Sequence, residues 1–248
     1  MKTKHLLMAL AMGLVANFSF AGGTGALLPA ATAAMADDAK VDVDDKWNYI
    51  RFLPKTSYIA RQKACYAFYP GAFVNPQAYA PYMRSLAEQG FIGFILKVPV
   101  GFALLETNAA DDAKADYYAG KYCTKFVEGG HSLGGVVATD YVNSHPNDGL
   151  ILLASYPQDT TSIADQVNTV VSSIWGTRDC QTTPADIEAS KPRLPANASY
   201  VKIEGGNHPQ FAWYTDDTTG DCTATTSLAN QASIVRAETL RVLGLYNN

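Results

Sequence analysis

The sequence predicts an α/β fold with a mostly parallel central sheet and helices on both of its faces. The chain has 248 residues, the size of one α/β domain, and 48% of them are hydrophobic, which is enough for a substantial core. Strand-like and helix-like segments alternate along the chain. Several strand-like segments are apolar throughout, which is typical of parallel strands that are covered on both faces.

The individual elements are predicted from apolar runs and from the turn residues between them. Strands are predicted at residues 47–52, 64–69, 91–100, 125–128, 150–154, 170–175 and 200–204. Helices are predicted at residues 76–89, 104–118, 133–143, 184–190 and 226–245. Pro76 lies in the first turn of the first helix, where its missing N–H does no harm, and Gly90 ends that helix. Parallel sheets bind ligands at the carboxyl ends of their strands, so functional side chains are expected at that edge.

Residues 1–36 are predicted to be a signal peptide. Two lysines near the N-terminus precede a long, mostly apolar stretch without charged residues. The A-x-A pattern Ala34-Met35-Ala36 predicts cleavage after Ala36, and Ser19-Phe20-Ala21 offers a second possible site. A retained membrane anchor is the alternative, but glycines and Pro29 interrupt the apolar run before it reaches the roughly 20 residues that a span requires.

The remaining residues, 37–248, are expected to form a single exported domain, periplasmic or extracellular, with no membrane span. Their formal charge is −6, because cleavage removes two lysines from a chain of net charge −4. No basic cluster is present that would follow a phosphate backbone, so nucleic acid is not an expected partner. All four cysteines lie in this part, where export permits disulfides, but the residues alone do not choose among the three pairings.

A glycine-rich segment predicts a nucleophilic serine. The predicted strand at 125–128 leads into Gly130-His131-Ser132-Leu133-Gly134, and a helix-forming run follows. A sharp strand-to-helix turn needs glycines on both sides of the central residue, where a Cβ would clash. The hydroxyl of Ser132 is therefore expected to lie clear of the sheet edge, with the N–H of Leu133 pointing at any oxyanion formed there. The alternative is a glycine-rich connection with an incidental serine.

Elimination among the four histidines selects a general base. His5 lies in the leader, and His145 is expected to be solvated at a helix end. His131 lies inside the glycine-rich turn, and its side chain is expected to point away from the site. His208 follows the predicted strand at 200–204 through a short loop, at the carboxyl edge of the sheet. His208 is therefore the predicted base, although a lone loop histidine is often only a surface group.

Asp179 is the predicted acid that orients His208. It follows the preceding predicted strand, again at the carboxyl edge. The order Ser132, Asp179, His208 matches one of the known chain orders of serine catalytic triads. Glu204 and Asp186 are rivals, but Glu204 lies in a strand and Asp186 in a helix that is expected to leave the site.

The chain resembles the α/β-hydrolase superfamily and, within it, a compact esterase-like group with a G-H-S-L-G-G nucleophile elbow. The resemblance extends over about residues 47–245 and rests on four blocks: residues 68–71 with 77–80, 130–135, 176–179 with 186–190, and 203–208. It implies Ser132 as nucleophile, Asp179 as acid and His208 as base.

The resemblance also implies a second N–H group for the oxyanion, that of Ala72, beside that of Leu133. Pro70-Gly71-Ala72 stands where the family commonly has His-Gly-x, so Gly71 is the near alternative. The superfamily topology further implies the disulfides Cys65–Cys123 and Cys180–Cys222, with four buried thiols as the alternative.

These features predict a secreted carboxylesterase that acts through an acyl-enzyme, without a metal or organic cofactor. About fifteen residues separate Ala154 from Val170, where the superfamily often inserts a cap domain, so an open site for short or exposed esters is expected. Aromatic side chains are candidates to line it, although core positions are the alternative. These are Phe73, Trp175, Phe211, Trp213 and Tyr214. An acyltransferase and a non-catalytic binding protein are the alternative functions, and the oligomeric state stays open.

Overall fold

The computed structural model describes residues 25–145, 147–215 and 221–247, and its centre is one eight-stranded sheet. The strands are β1 (Val41–Asp45), β2 (Tyr49–Pro54), β3 (Ala64–Tyr69), β4 (Ile92–Leu96), β5 (Lys125–His131), β6 (Gly149–Leu153), β7 (Val170–Gly176) and β8 (Ser199–Ile203). Their order in the sheet is β1-β2-β4-β3-β5-β6-β7-β8. β2 pairs antiparallel with β1 and β4, and the strands from β4 to β8 are parallel to one another. The predicted fold class is confirmed.

Helices lie along both faces of this sheet. The α-helices are α1 (Pro29–Ala33), α2 (Ala80–Ala87), α3 (Ala110–Lys114), α4 (Tyr117–Tyr122), α5 (Leu133–Ser144), α6 (Pro184–Ser190) and α7 (Leu228–Gly244). Short 3₁₀ helices lie at Pro76–Tyr79, Pro99–Gly101, Ala103–Leu105, Lys191–Arg193 and Pro209–Phe211. Among the described helices, none is long and apolar enough to cross a membrane.

Two hydrophobic clusters form the core, one on each face of the sheet. The side chains of β3 alternate between them: Tyr66 and Phe68 belong to the first, and Cys65 and Ala67 to the second. Helices α2 and α7 cover the first cluster, while α3 and α5 cover the second. The apolar strands of the sequence are therefore buried on both faces, as parallel strands with helical connections must be.

The connection from β6 to β7, residues 154–169, contains neither helix nor strand. The expectation of little or no cap domain is therefore confirmed. The carboxyl edge of the sheet stays uncovered by an inserted domain at this point.

The helix predicted at residues 104–118 is wrong as a single element. The chain there forms a 3₁₀ turn and then α3 and α4. Asp116 interrupts the helical run because its Oδ1 accepts hydrogen bonds from the N–H groups of Tyr118 and Ala119, which begins α4. Its Oδ2 accepts hydrogen bonds from the buried Arg51 of β2 and from the Tyr49 hydroxyl. Asp116 thus joins a local helix cap to partners far away in sequence.

Strand β1 is missing from the predicted elements because its sequence is rich in aspartate, which is uncommon in strands. Its carboxylates pair with basic side chains of neighbouring segments. Asp42 lies 2.9 Å from the Lys55 ammonium, and Asp45 forms an ion pair with Lys97. An edge strand tolerates such charges because one side of it faces solvent.

Residues 25–36 pack on the domain. Ala31 of α1 is fully buried, and Leu27 forms an isolated antiparallel bridge with Tyr214. The Arg84 Nε of α2 donates a 2.8 Å hydrogen bond to the carbonyl oxygen of Ala34. This packing differs from the prediction that the fold begins at residue 37.

The alanines before Asp37 explain why the predicted start of the fold, residue 37, differs from the observed packing of residues 25–36. An A-x-A pattern and a closely packed short helix both require small side chains, so the alanines before Asp37 are compatible with either. The first part of the predicted leader, residues 1–24, lies outside the described residues. The second possible cleavage site, after Ala21, lies there too.

Glu128 of β5 is a fully buried carboxyl group beside Lys114 of α3. Its Oε1 lies 3.3 Å from the Lys114 ammonium of α3, and neither oxygen has a well-aligned hydrogen bond. Burial raises the pKa of Glu128 to about 7, and the nearby Lys114 charge only partly opposes this effect.

We therefore expect Glu128 to make the protein less stable as the pH rises. The folded state holds the proton more tightly than the unfolded chain, so the unfolding free energy falls from about pH 4.5 to about pH 7. Glu128→Gln should remove this dependence. The unfolding free energy of the variant, relative to that of the wild type, should therefore be higher at about pH 8 than at about pH 5, by about 2–3 kcal/mol. Urea unfolding at both pH values measures it, with the exposed Glu106→Gln as control. An equal difference at both pH values would contradict the prediction.

Candidate active site

Ser132 lies at the strained junction between β5 and α5. Its backbone has φ +53° and ψ −126°, in the left-handed region that side-chain-bearing residues seldom adopt. The flanking glycines are required by contact: a Cβ on Gly130 would lie 2.3 Å from the Gly134 carbonyl group, and one on Gly134 would lie 2.2 Å from the Tyr69 carbonyl oxygen. The Ser132 N–H donates to the carbonyl oxygen of Leu153 in β6 over 3.0 Å, which fixes the turn against the sheet.

His208 and Asp179 form a buried hydrogen-bonded pair. The His208 Nδ1 lies 2.8 Å from the Asp179 Oδ2, and the two residues are only 5% and 2% exposed. The other carboxylate oxygen of Asp179 accepts hydrogen bonds from the N–H groups of Gln181 and Thr182, at 2.9 and 2.6 Å. These bonds fix the carboxylate so that it orients the imidazole, as an acid–base pair requires.

The structure brings the predicted acid and the predicted base together at the carboxyl edge that also carries Ser132. The half-buried Ser132 makes no side-chain hydrogen bond to His208 within the described residues. Nucleophile–base contacts are often long in the absence of substrate and tighten when it binds.

The two rival acids lie in other contacts. Glu204 is exposed and forms an ion pair with Lys202. Asp186 belongs to a capping box, in which its Oδ2 accepts hydrogen bonds from the N–H and the hydroxyl of Thr183 at the start of α6. Neither carboxylate contacts His208.

Asp221 is a further residue of this region that the sequence analysis missed. Its Oδ2 accepts a 2.7 Å hydrogen bond from the backbone N–H of His208, and its Oδ1 accepts one of 2.7 Å from that of Cys180. Burial raises the pKa of Asp221, and the neighbouring Asp179 charge adds to the effect. Its place beside Cys222, a predicted disulfide partner, was the available signal in the sequence.

The disulfides of the structure are Cys65–Cys123 and Cys180–Cys222, the pairing that the resemblance implies. The second one joins the residue after Asp179 to the residue after Asp221. Asp179, His208 and this disulfide thus form one connected unit at the sheet edge.

The prediction that the His131 side chain points away from the site is wrong. Its ring centroid lies 4.6 Å from that of His208, and the ring of Phe211 packs against it at 5.6 Å. The His131 Nδ1 lies 2.8 Å from the Tyr79 hydroxyl, which in turn accepts a 3.0 Å hydrogen bond from the Gly71 N–H. Burial, and then the neighbouring His208, lower the pKa of His131 well below its usual range.

The N–H groups of Ala72 and Leu133 are the candidate oxyanion donors. Ala72 lies just beyond the end of β3, the strand next to β5. The N–H groups on either side of it are engaged, since that of Gly71 donates to Tyr79 and that of Phe73 donates to the Gly101 carbonyl oxygen. Within the described ranges, Ala72 and Leu133 donate to no other protein group. This distinction favours Ala72 over Gly71.

The aromatic residues predicted to line the site differ in exposure. Phe73 is 44% exposed, has φ +59° and stacks on Phe102 with 5.6 Å between ring centroids. Phe211 is buried against His131 and forms part of the wall behind the imidazoles. The others pack into the body of the domain: Trp213 packs against the first core cluster, Tyr214 belongs to it, and the indole nitrogen of Trp175 is buried. Phe73 is thus the candidate best placed to touch a substrate.

Among the residues that the structure describes, no group of three or more histidine, cysteine, aspartate or glutamate side chains could hold a metal ion.

A serine at a strained strand-to-helix turn, with a hydrogen-bonded histidine and aspartate at the same sheet edge, is typical of α/β hydrolases. Residues 65–233 match the model of the Alpha/beta hydrolase family, and the chain belongs to this family. No curated protein matches the chain.

Solved structures with the same fold include enzymes that act on esters. The esterase domain of a Rhodothermus marinus protein has a TM-score of 0.58 and 13% identity, covering 83% of this chain and 98% of that one. An esterase from Thermogutta terrifontis has a TM-score of 0.56 and 16% identity, with 84% and 94% covered. A dienelactone hydrolase-like promiscuous phosphotriesterase from metagenomic libraries has a TM-score of 0.58 and 11% identity, with 84% and 98% covered. At these identities the likeness establishes the fold.

Proposed function

We propose that this protein is a serine carboxylesterase with Ser132 as nucleophile, His208 as general base and Asp179 as the acid. The observation that carries the proposal is the buried 2.8 Å contact between His208 and Asp179, at the sheet edge where Ser132 lies at a strained turn. The esterases among the structural neighbours, and the family itself, support an activity on ester bonds.

The reaction proceeds in two steps. His208 takes the proton of Ser132 while the serine oxygen bonds to the ester carbonyl carbon, and the N–H groups of Leu133 and Ala72 bind the resulting oxyanion. The carbon–oxygen bond of the ester then breaks, and the alcohol leaves with the proton from His208. Water, activated by His208, attacks the acyl-enzyme and releases the acid and the free serine. Asp179 keeps the imidazole in the tautomer that accepts the proton.

The substrate class follows from the open edge. The 154–169 connection adds no helix or strand above Ser132, and the exposed Phe73 follows the oxyanion donor Ala72 directly. Val100 and Leu105, which are 79% and 56% exposed, belong to the segment whose Gly101 carbonyl oxygen accepts the Phe73 N–H and whose Phe102 ring stacks on Phe73. Such a surface fits short acyl groups, or esters presented from outside, better than long chains enclosed in a tunnel.

A panel of p-nitrophenyl acetate, butyrate, octanoate and palmitate tests this proposal. We expect hydrolysis with the highest kcat/KM on the shorter esters. Product analysis with an added alcohol separates esterase from acyltransferase, because a transferase would make the new ester in preference to the free acid. If the protein hydrolyses none of these esters and a fluorophosphonate does not label it, the proposal is wrong, and the binding-protein alternative gains support.

We also propose that the protein is exported and that the leader is removed after Ala21. Two disulfides suit an oxidising compartment. Cleavage after Ala36 would remove the packed α1 and the Ala34 carbonyl that accepts a hydrogen bond from Arg84. We expect N-terminal sequencing of the exported protein to begin at Gly22. A mature chain beginning at Asp37 would contradict this site and would support the alternative pattern.

A further inference from the structure

We propose that Tyr79 and His131 form a positioning pair that couples the oxyanion turn at Gly71–Ala72 to the imidazole of His208. The inference rests on the proposed function, since it assigns a role in the same site. The first connection is the 3.0 Å hydrogen bond from the Gly71 N–H to the Tyr79 hydroxyl. The second is the 2.8 Å contact between that hydroxyl and the His131 Nδ1. The third is the packing of the His131 and His208 rings at 4.6 Å.

The direction of the hydrogen bonds follows from the donors available. A phenol has a single proton, and the Tyr79 oxygen already accepts the N–H of Gly71. The proton of Tyr79 is therefore free to go to the His131 Nδ1, which accepts it and leaves the other ring nitrogen, Nε2, as the N–H. The Gly71 N–H thus sets the tautomer of His131, because it orients the Tyr79 hydroxyl that donates to the His131 Nδ1.

The His131 ring stays neutral beside the base. It is 1% exposed, and its Nε2 has no hydrogen bond of ordinary geometry, although the backbone of His208 lies near enough to interact with it. Burial and the neighbouring His208 both disfavour a charge on it. When His208 becomes an imidazolium during the reaction, His131 therefore does not repel it. It provides a fixed aromatic surface on which the base keeps its orientation.

The pair links the three functional segments. His131 precedes Ser132 directly in the chain, its ring contacts His208, and Tyr79 ties it to the turn that carries Ala72. Both side chains are buried, at 1% and 0% exposure, so neither has solvent as an alternative partner. A small shift of Tyr79 would move the oxyanion donor and the base relative to each other. Catalysis is sensitive to such shifts, because misplacement by about 1 Å can cost about 100-fold in rate.

Tyr79→Phe, with Tyr82→Phe as matched control, tests the inference. Tyr82 is also a buried tyrosine, and its hydroxyl bonds to Thr239 at 2.7 Å and to Tyr66 at 3.3 Å, within the core. Both variants lose a buried hydroxyl, so we expect similar losses in melting temperature. Only Tyr79→Phe should lower kcat, by about 10- to 100-fold with KM nearly unchanged, and slow fluorophosphonate labelling of Ser132 to a similar extent.

His131 variants give a second readout. His131→Phe keeps the ring but removes the acceptor for Tyr79, and should lower kcat as Tyr79→Phe does, with the double variant no worse than either single one. A Tyr79→Phe variant that loses stability as Tyr82→Phe does but keeps the wild-type kcat would overturn this inference and leave the proposed function standing. A wild-type protein that neither hydrolyses esters nor is labelled would overturn the proposed function, and the inference with it.

Discussion

Ser132→Ala is expected to abolish ester hydrolysis, with kcat lower by about 10⁶-fold. Alanine removes the only atom that can bond to the carbonyl carbon, while the oxyanion donors Leu133 and Ala72 stay in place. The fold should persist, because alanine and serine have similar preferences at φ +53° and Ala154 already adopts φ +44° nearby. The measurement is kcat on p-nitrophenyl butyrate, together with fluorophosphonate labelling and circular dichroism.

Ser144→Ala is the matched control for this experiment. Ser144 ends α5, the helix that begins after Ser132, and its hydroxyl donates to the carbonyl oxygen of Asp140 at 2.9 Å. We expect wild-type kcat from this variant. If Ser132→Ala kept wild-type kcat on the esters, another residue would have to be the nucleophile.

Asp179→Asn is expected to lower kcat by about 10⁴-fold. The carboxylate accepts from the His208 Nδ1 and holds the tautomer in which Nε2 is free to take a proton. An asparagine amide placed there can donate to Nδ1 and so favour the wrong tautomer. The N–H groups of Gln181 and Thr182 would still bind the side-chain oxygen, so the loop should keep its position.

Two conservative variants of the rival acids serve as controls for Asp179→Asn. Asp186→Asn weakens the capping box of α6, and Glu204→Gln removes an exposed ion pair. Both should keep the wild-type kcat, and Asp186→Asn should lose at most about 1–2 kcal/mol of stability. A large loss of kcat in either one, with Asp179→Asn active, would reverse the assignment of the acid.

The local sequence was sufficient to predict an element whose formation depends only on its own residues. The strand at 64–69 and the helix at 184–190 occur with the predicted bounds, because the first is an apolar run and the second carries its own proline and cap. The strand-to-helix turn at Ser132 likewise depends on glycines next to it.

Prediction failed where an outcome depends on a distant partner. The pairing of Asp116 with Arg51 joins residues 65 positions apart, and the orientation of His131 depends on Tyr79, 52 residues before it. Neither pairing leaves a periodic pattern in the sequence. The aspartates of β1 gave a polar composition, and their pairing with basic side chains such as Lys55 and Lys97 makes it compatible with a strand.

The contact between residues 26–28 and residues 213–215 affects the order in which tertiary contacts form during folding. The Ala26 carbonyl oxygen accepts from the Thr215 N–H at 2.8 Å, and the Leu28 N–H donates to the Trp213 carbonyl oxygen at 3.1 Å. These partners lie almost 190 residues apart, so these two hydrogen bonds form only after residues 213–215 are available, whereas the contact of Ala34 with Arg84 can form earlier. A chain threaded across a membrane from its N-terminus could therefore complete these contacts only after residues 213–215 had also crossed.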